Sequence, residues 1–222
     1  LGLRDPERSW HTDRGPLLRI ADWQGQVMAA LAHMAQTLVA LSGSDISEVA
    51  LGSAGASSTM PQKQNPVAPS VMLALHLQFA GLRSTLQTAA VHQHQRDGAA
   101  WFAEWMAVPQ LTLCLAAALQ HARALATRME PHPMRMHANL DGNLGLIHAE
   151  ALSFALAEIM PRPQAQKVTK ALCLDALRQG TPLEDLARAD YPALGPDVFA
   201  PARGIGLAAR DALAFASRAG HV

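Results

Sequence analysis

The amino-acid sequence predicts an all-α protein in which a bundle of long helices is followed by a small helical C-terminal domain. Three observations carry this. Apolar residues recur at steps of three and four over three long stretches, which is the period of a helix. No stretch shows the every-second-residue alternation of a half-buried strand. Charged residues make up only 16% of the 222 residues while hydrophobic ones make up 50%, against a usual charged share of about 25%. A chain so poor in charge is expected to hide much of its surface against other subunits.

The first helix begins at Pro16, a residue suited to the first helical position, and its stripe runs Leu17, Ile20, Val27, Leu31, Met34, Leu38 and Leu41, with polar Gln24 as the exception. Gly43 suits the residue just past the end. At about 1.5 Å per residue this helix is roughly 40 Å long, a length typical of bundles. The spacing resumes after Pro66 with Val71, Leu75, Phe79, Leu82 and Leu86. A third run takes in Leu111, Leu115, Leu119, Ala122, Leu125 and Met129, with the break between the second and third at "HQHQRDG". Residues 44–66 are rich in Gly and Ser and read as a loop. Beyond Met129 the texture changes to short helices set off by Pro131, Pro133, Pro161, Pro163 and Pro182, and Thr181, Pro182 and Glu184 read as N-cap, first helical residue and capping box. Residues 1–130 are therefore assigned to the long-helix portion and 131–222 to the small domain.

A formal net charge of zero removes the long-range field of a nucleic-acid binder. No signal peptide and no uninterrupted apolar run of the ~18 residues of a membrane span are present. The chain starts at a leucine and reads as part of a longer cytoplasmic protein. Cys114 and Cys173 lie in apolar helical patterns without CxxC spacing and read as reduced core thiols. His92 and His94, two apart, would point to different helix faces and share no metal. Trp101 and Trp105, four apart, read as a packed stripe. His132, His137 and His148 show no ligand spacing. On their own, His11 and Arg14 read as a solvated helix start.

The stretch "GSAGASSTMPQKQNP" is longer and more polar than a bundle connection of about two to eight residues requires. Gly52 and Gly55 loosen it, and Pro61 and Pro66 stiffen its far end. Composition alone leaves a solvated linker and a functional loop equally open. What favours chemistry is the order of hydroxyl, lysine and amide. A serine is a poor base unless its alkoxide is stabilised, and removing a proton beside a carboxylate loads that carboxylate with further charge, which a lysine and an asparagine can stabilise.

"GASSTMPQKQNP" resembles the signature loop GSSxMPxKxNP of the fumarase/aspartase superfamily over Ser57, Ser58, Met60, Pro61, Lys63, Asn65 and Pro66. The flanks "SWHTDR", "HQHQRDGAAWFAEWMAVPQL" and "LDGNLGLIHAEAL" resemble the 3-carboxy-cis,cis-muconate cycloisomerase branch over nearly the whole chain. The resemblance implies an intramolecular lyase of the β-ketoadipate route of aromatic catabolism, closing a carboxymuconate onto its own carboxylate. It implies Ser57 as the proton-transferring residue and Lys63 and Asn65 on the substrate carboxylate. Ser58, Thr59 and Met60 line the substrate, and His11 and Arg14 are raised to substrate contacts. No metal or organic cofactor is implied. The partners implied are a di- or tricarboxylate and three further copies of the chain, in a homotetramer whose sites are shared between subunits; neither nucleic acid nor membrane is among them. An N-terminal domain upstream is also implied.

The pattern departs from that branch at named positions. Gln62 and Gln64 stand for a histidine and an arginine, Gln93 and Gln95 for two glutamates, Ala56 for a glycine and Gly15 for an aspartate. Two other readings share the loop or the fold: a lyase of the adenylosuccinate or argininosuccinate type, and a non-catalytic helical oligomer.

Overall fold

The structure, a computed structural model, describes residues 2, 4, 5, 7–52, 55, 56, 64–200 and 204–220. It divides into two compact units, Leu1–His132 and Pro133–Val222.

The first unit is built on three long helices, α1 (Gly15–Leu41), α2 (Val67–Ala89) and α3 (Gly98–Arg128). Ala21, Met28, Phe79, Leu86, Ala107, Leu111, Cys114, Leu115 and Ala118 form one core cluster. Ala35, Leu38, Leu51, Met72 and Leu125 form another. The first cluster joins the start of α1 to the end of α2 and the start of α3, and the second joins the end of α1 to the start of α2 and the end of α3. So α1 and α3 run one way and α2 the other.

The buried face of α1 is rotated from the expected stripe. Ala21, Met28, Ala32, Ala35 and Leu38 are buried, Leu17, Val27, Leu31 and Met34 pack at its edge, and Ile20 is 55% exposed. The small side chains let the helices approach closely, which moves the larger leucines to the flanks of the contact. In α3, Leu111, Leu115 and Leu125 are buried as the pattern predicts and Leu119 is not, nor is Met129 just past the helix end.

Pro16 lies in the first turn of α1, where a missing N–H costs nothing. Asp97 caps α3, its Oδ1 accepting from the N–H groups of Ala99 at 3.0 Å and Ala100 at 3.2 Å. The loop between α1 and α2 takes part in short pairings that no alternation signals, one of them with residues that follow α3. β1 (Val49–Ala50) pairs antiparallel with β4 (Glu130–Pro131), and β2 (Gly55–Ala56) pairs antiparallel with β3 (Gln64–Asn65). Two-residue strands are too short to leave a period in the sequence. Gly52 is not a loosening residue: its φ is +75°, and a Cβ there would stand 2.9 Å from the Cβ of Arg128. Only glycine meets both conditions.

α3 is long and apolar enough to cross a membrane by length and composition. Here it is the core helix of the bundle, burying Ala100, Glu104, Ala107, Leu111, Cys114, Leu115, Ala118 and Leu125.

The second unit holds α4 (Pro133–Asp141), a 3₁₀ segment (Asn143–His148), α5 (Ala149–Leu156), α6 (Arg162–Gln179), α7 (Leu183–Asp190) and α8 (Ala208–Ala219). Its core is Leu152, Leu156, Ala165, Leu172, Leu183, Ala187, Val198 and Phe199. Gly180 ends α6 in the left-handed conformation, φ 65°. The expected capping box at Thr181 does not form. The helix starts one residue later than that box requires: Pro182 is the residue before α7, its carbonyl accepting from the N–H groups of Asp185 at 3.1 Å and Leu186 at 3.3 Å, and no side chain caps the helix. Arg188 ties the unit's last turns together, donating to Glu184 Oε1 at 2.7 Å and to the carbonyls of Leu194 and Pro196 while lying over the Phe199 ring.

Candidate functional site

Among the described residues, the side chains expected to carry chemistry fall into two groups at opposite ends of the first unit. The first group is built where the N-terminal segment meets the start of α3. Arg14 precedes α1 and Glu104 lies one turn and a half into α3. The guanidinium grips the carboxylate with both prongs, Nε to Oε2 at 2.8 Å and Nη2 to Oε1 at 2.5 Å, and its Nη1 donates to the Trp10 carbonyl at 2.8 Å. The two side chains are 16% and 9% exposed. A pair so enclosed is expensive to break: removing one partner of a buried pair costs about 3–5 kcal/mol because the other is left charged and unsolvated.

Aromatic rings cluster on the same two segments. His11 stacks on Trp101 with ring centres 5.7 Å apart, Trp101 on Trp105 at 6.2 Å, and Phe102 meets Trp105 edge-on at 5.5 Å. His11 Nδ1 is bonded to Ser9 Oγ, and Arg8 pairs with Asp13. The Trp101 and Trp105 pairing expected from their spacing is present, but Trp105 and Phe102 are largely exposed. They form an outward ring cluster and not a core stripe.

The second group lies at the other end of α1, on the loop. Asn65 sits in β3 with Gly55 opposite it and is half-buried. The pairing of β2 with β3 sets Gly55 against Asn65 and Ala56 against Gln64. Ser57, Ser58, Thr59, Met60 and Lys63, named from the sequence, lie outside the described residues.

The two groups do not meet in one chain. Arg14 and His11 stand at the N-terminal end of α1, and Asn65 follows its C-terminal end. The 27 residues of α1 correspond to about 40 Å at about 1.5 Å each.

The turn before α3 holds the remaining polar candidates. Asp97 also accepts from the Gln93 N–H at 3.1 Å. The Gln93 and Ala100 N–H groups, with that of Ala99 and the nearby His92, hold its carboxyl below the usual carboxylate range. Both ring nitrogens of His92 are buried without a hydrogen-bond partner, and His94 is exposed with φ 56°. Among the described residues no group of three or more His, Cys, Asp or Glu side chains converges as metal ligands would. Burial pushes the thiols of Cys114 and Cys173 up, and both are free. The roomiest cavity described, about 530 Å³, lies in the second unit among Leu140, Ile147, His148, Phe154 and Ile205 and contains none of the candidate residues. Sequence reasoning missed Glu104 as the partner of Arg14. A lone glutamate in an otherwise apolar helical run was the available signal.

No protein-family model matches the chain. It is 38% identical over 182 residues to the 3-carboxy-cis,cis-muconate cycloisomerase of Pseudomonas aeruginosa, covering 81% of this chain and 40% of that protein. It is 35% identical to the enzyme of the same name from Pseudomonas putida, covering 81% of this chain and 43% of the relative. The solved 3-carboxy-cis,cis-muconate lactonizing enzyme of Pseudomonas putida superposes with a TM-score of 0.82 at 31% identity, over 93% of this chain and 47% of that one. A fumarate lyase from Mesorhizobium superposes with a TM-score of 0.80 at 25% identity. The chain belongs to the fumarase/aspartase, or fumarate lyase, superfamily and has its all-helical fold. Within the superfamily it is a homologue of the 3-carboxy-cis,cis-muconate cycloisomerases, and it spans about two fifths of the length of the curated relatives it matches.

Proposed function

We propose that the protein carrying this chain is an intramolecular lyase that converts 3-carboxy-cis,cis-muconate to a carboxymuconolactone in aromatic catabolism. The observation that carries this reading is the similarity to proteins of that name over four fifths of the chain. The sequence of the loop supplies the chemistry. Ser57 moves the proton beside the carboxylate, and Lys63 and Asn65 stabilise the charge that builds on that carboxylate. Ser58, Thr59 and Met60 line the substrate. The site needs no metal or organic cofactor.

His11 and Arg14 belong to one wall of the site, which comes from another copy of the chain; His11 faces the substrate and Arg14 holds the wall together. Two residue groups separated by the length of α1 cannot bracket one small molecule within one chain. A homotetramer, with residues 1–130 as the central long-helix bundle portion and residues 131–222 as a small C-terminal helical domain, satisfies that requirement. It also gives the exposed Trp23, Leu77, Met106 and Leu113 of the long helices a partner to pack against. The location is cytoplasmic.

The test is to incubate the full-length protein with 3-carboxymuconate and follow the diene absorbance. Loss of absorbance with formation of a lactone is expected. Turnover of adenylosuccinate or argininosuccinate with no action on the muconate would replace this reading with the lyase alternative. Gln62, Gln64, Gln93 and Gln95, which remove charges the branch usually carries, favour the second alternative of a non-catalytic oligomer. Turnover of any of the three substrates rules that out.

A further inference from the structure

Arg14 cannot serve a substrate carboxylate in the usual forked way, because its fork is already occupied. Nε and Nη2 are both committed to Glu104, and Nη1 donates one bond to the Trp10 carbonyl. The commitment is enclosed: Glu104 is 7% exposed and is one of two buried polar or charged residues among those described. A carboxylate does not stay in such a place without a purpose that offsets its desolvation. What the pair holds is the backbone next to His11. The Trp10 carbonyl is fixed by the same guanidinium, and the following residue then lies with its ring on Trp101, three residues before Glu104 on α3. Ser9 Oγ engages His11 Nδ1, which leaves Nε2 as the ring nitrogen without a partner among the described residues.

We infer that Glu104 is a positioning residue which, through Arg14, fixes the imidazole of His11 on Trp101 so that His11 Nε2 is presented as the polar contact of this wall to a substrate carboxylate. Arg14 acts inward and His11 outward. The inference rests on the proposed function for the identity of the ligand, and on the geometry alone for the positioning.

The two parts are tested separately in the full-length protein. For the positioning, acrylamide quenching of tryptophan emission is measured, and the Trp101 component is isolated by comparison with Trp101→Phe. Glu104→Gln is expected to raise the quenching constant of that component at least twofold by releasing the ring that covers Trp101. Arg14→Lys, which keeps a cation beside the buried carboxylate but lacks the fork, is expected to do the same, and it stands in for Glu104→Gln if that variant does not fold. An unchanged quenching constant in the folded variants overturns the positioning role.

For the contact, steady-state kinetics with 3-carboxymuconate complete the cycle. His11→Ala and Glu104→Gln are each expected to raise KM about tenfold, the scale of one charge-assisted hydrogen bond, with kcat within about twofold. Because Glu104 works through His11, the double variant is expected to be no worse than His11→Ala. A merely structural glutamate would multiply with His11→Ala to about a hundredfold, and that result overturns the inference. If the unsubstituted protein leaves the muconate untouched, the functional reading fails, and the quenching result still decides the positioning.

Discussion

Gly25 sits in the middle of α1 facing α2, where a glycine costs helix stability and alanine is expected to repair it. A Cβ built at Gly25 would lie 3.5 Å from Phe79 Cε1 and 3.8 Å from Arg83 Cδ. Both are ordinary contact distances, so the added methyl meets its neighbours without pushing them. Arg83 crosses Gly25 on its way to Asp22, with Nη2 2.6 Å from Oδ1, and that path stays open. Glycine is less favourable than alanine inside a helix by about 0.8–1.0 kcal/mol, mostly through the freedom of the unfolded chain. A half-buried methyl adds up to about 0.4 kcal/mol more, from about 0.8 kcal/mol for full burial. Gly25→Ala is therefore expected to stabilise by about 1 kcal/mol, raising the midpoint of thermal unfolding by about 2–4 °C for a domain of this size. Two glycines serve as references. At Gly81 a Cβ meets nothing within 4 Å, so Gly81→Ala reports helix propensity alone. At Gly52 the φ of +75° and the 2.9 Å approach to Arg128 Cβ make Gly52→Ala destabilising by at least about 1 kcal/mol. Urea and thermal unfolding of the three variants rank them. If Gly25→Ala lowers stability while Gly81→Ala raises it, α1 and α2 are closer than described and the argument fails.

Three further outcomes are expected. Ser57→Ala should cut turnover by about 10² to 10⁴, the cost of losing a general acid or base, with substrate binding and thermal stability nearly unchanged; near-normal turnover would remove the serine from the chemistry. Met28→Ala, at a side chain with 0% exposure inside the first core cluster, should cost about 2–5 kcal/mol by urea unfolding, and a loss under about 1 kcal/mol would mean that the site collapses to fill the space. Asp97 has a folded-state pKa below its ordinary value of 3.8, so its contribution to stability is present above that value and is lost as pH falls through the lower, folded value. Asp97→Ala should therefore lower stability at neutral pH and flatten the part of the acid limb below pH 4, and parallel curves for the two proteins would contradict this.

The three long helices were legible because each keeps a helical period over many turns, and a period summed over that length outweighs any single residue. Which side of the period turns inward was less legible. Ala21, Ala32 and Ala35 form the buried face of α1 and Ile20 does not, and a hydrophobicity pattern ranks isoleucine above alanine where close approach ranks them in reverse. The capping set at Thr181 failed for a local reason, since α7 begins one residue later, with Pro182 in the capping position. The loop was legible as chemistry from the order of its side chains, and as a particular chemistry only through resemblance. Glu104 was not legible as a partner for Arg14, because a separation of 90 positions leaves no spacing rule to connect them. The same holds for Gly52, whose need for glycine comes from Arg128, far away in sequence.

The length of α1 also bears on inheritance. In the proposed assembly one end of each chain completes a pocket in one place and the other end completes a different pocket. A lesion at His11 and a lesion at Ser57 thus spoil different contributions of the same polypeptide. Strains carrying only one allele lose every pocket. A cell expressing both alleles assembles mixed particles in which some pockets draw both their walls from sound ends, so the heterozygote retains activity that neither parent has.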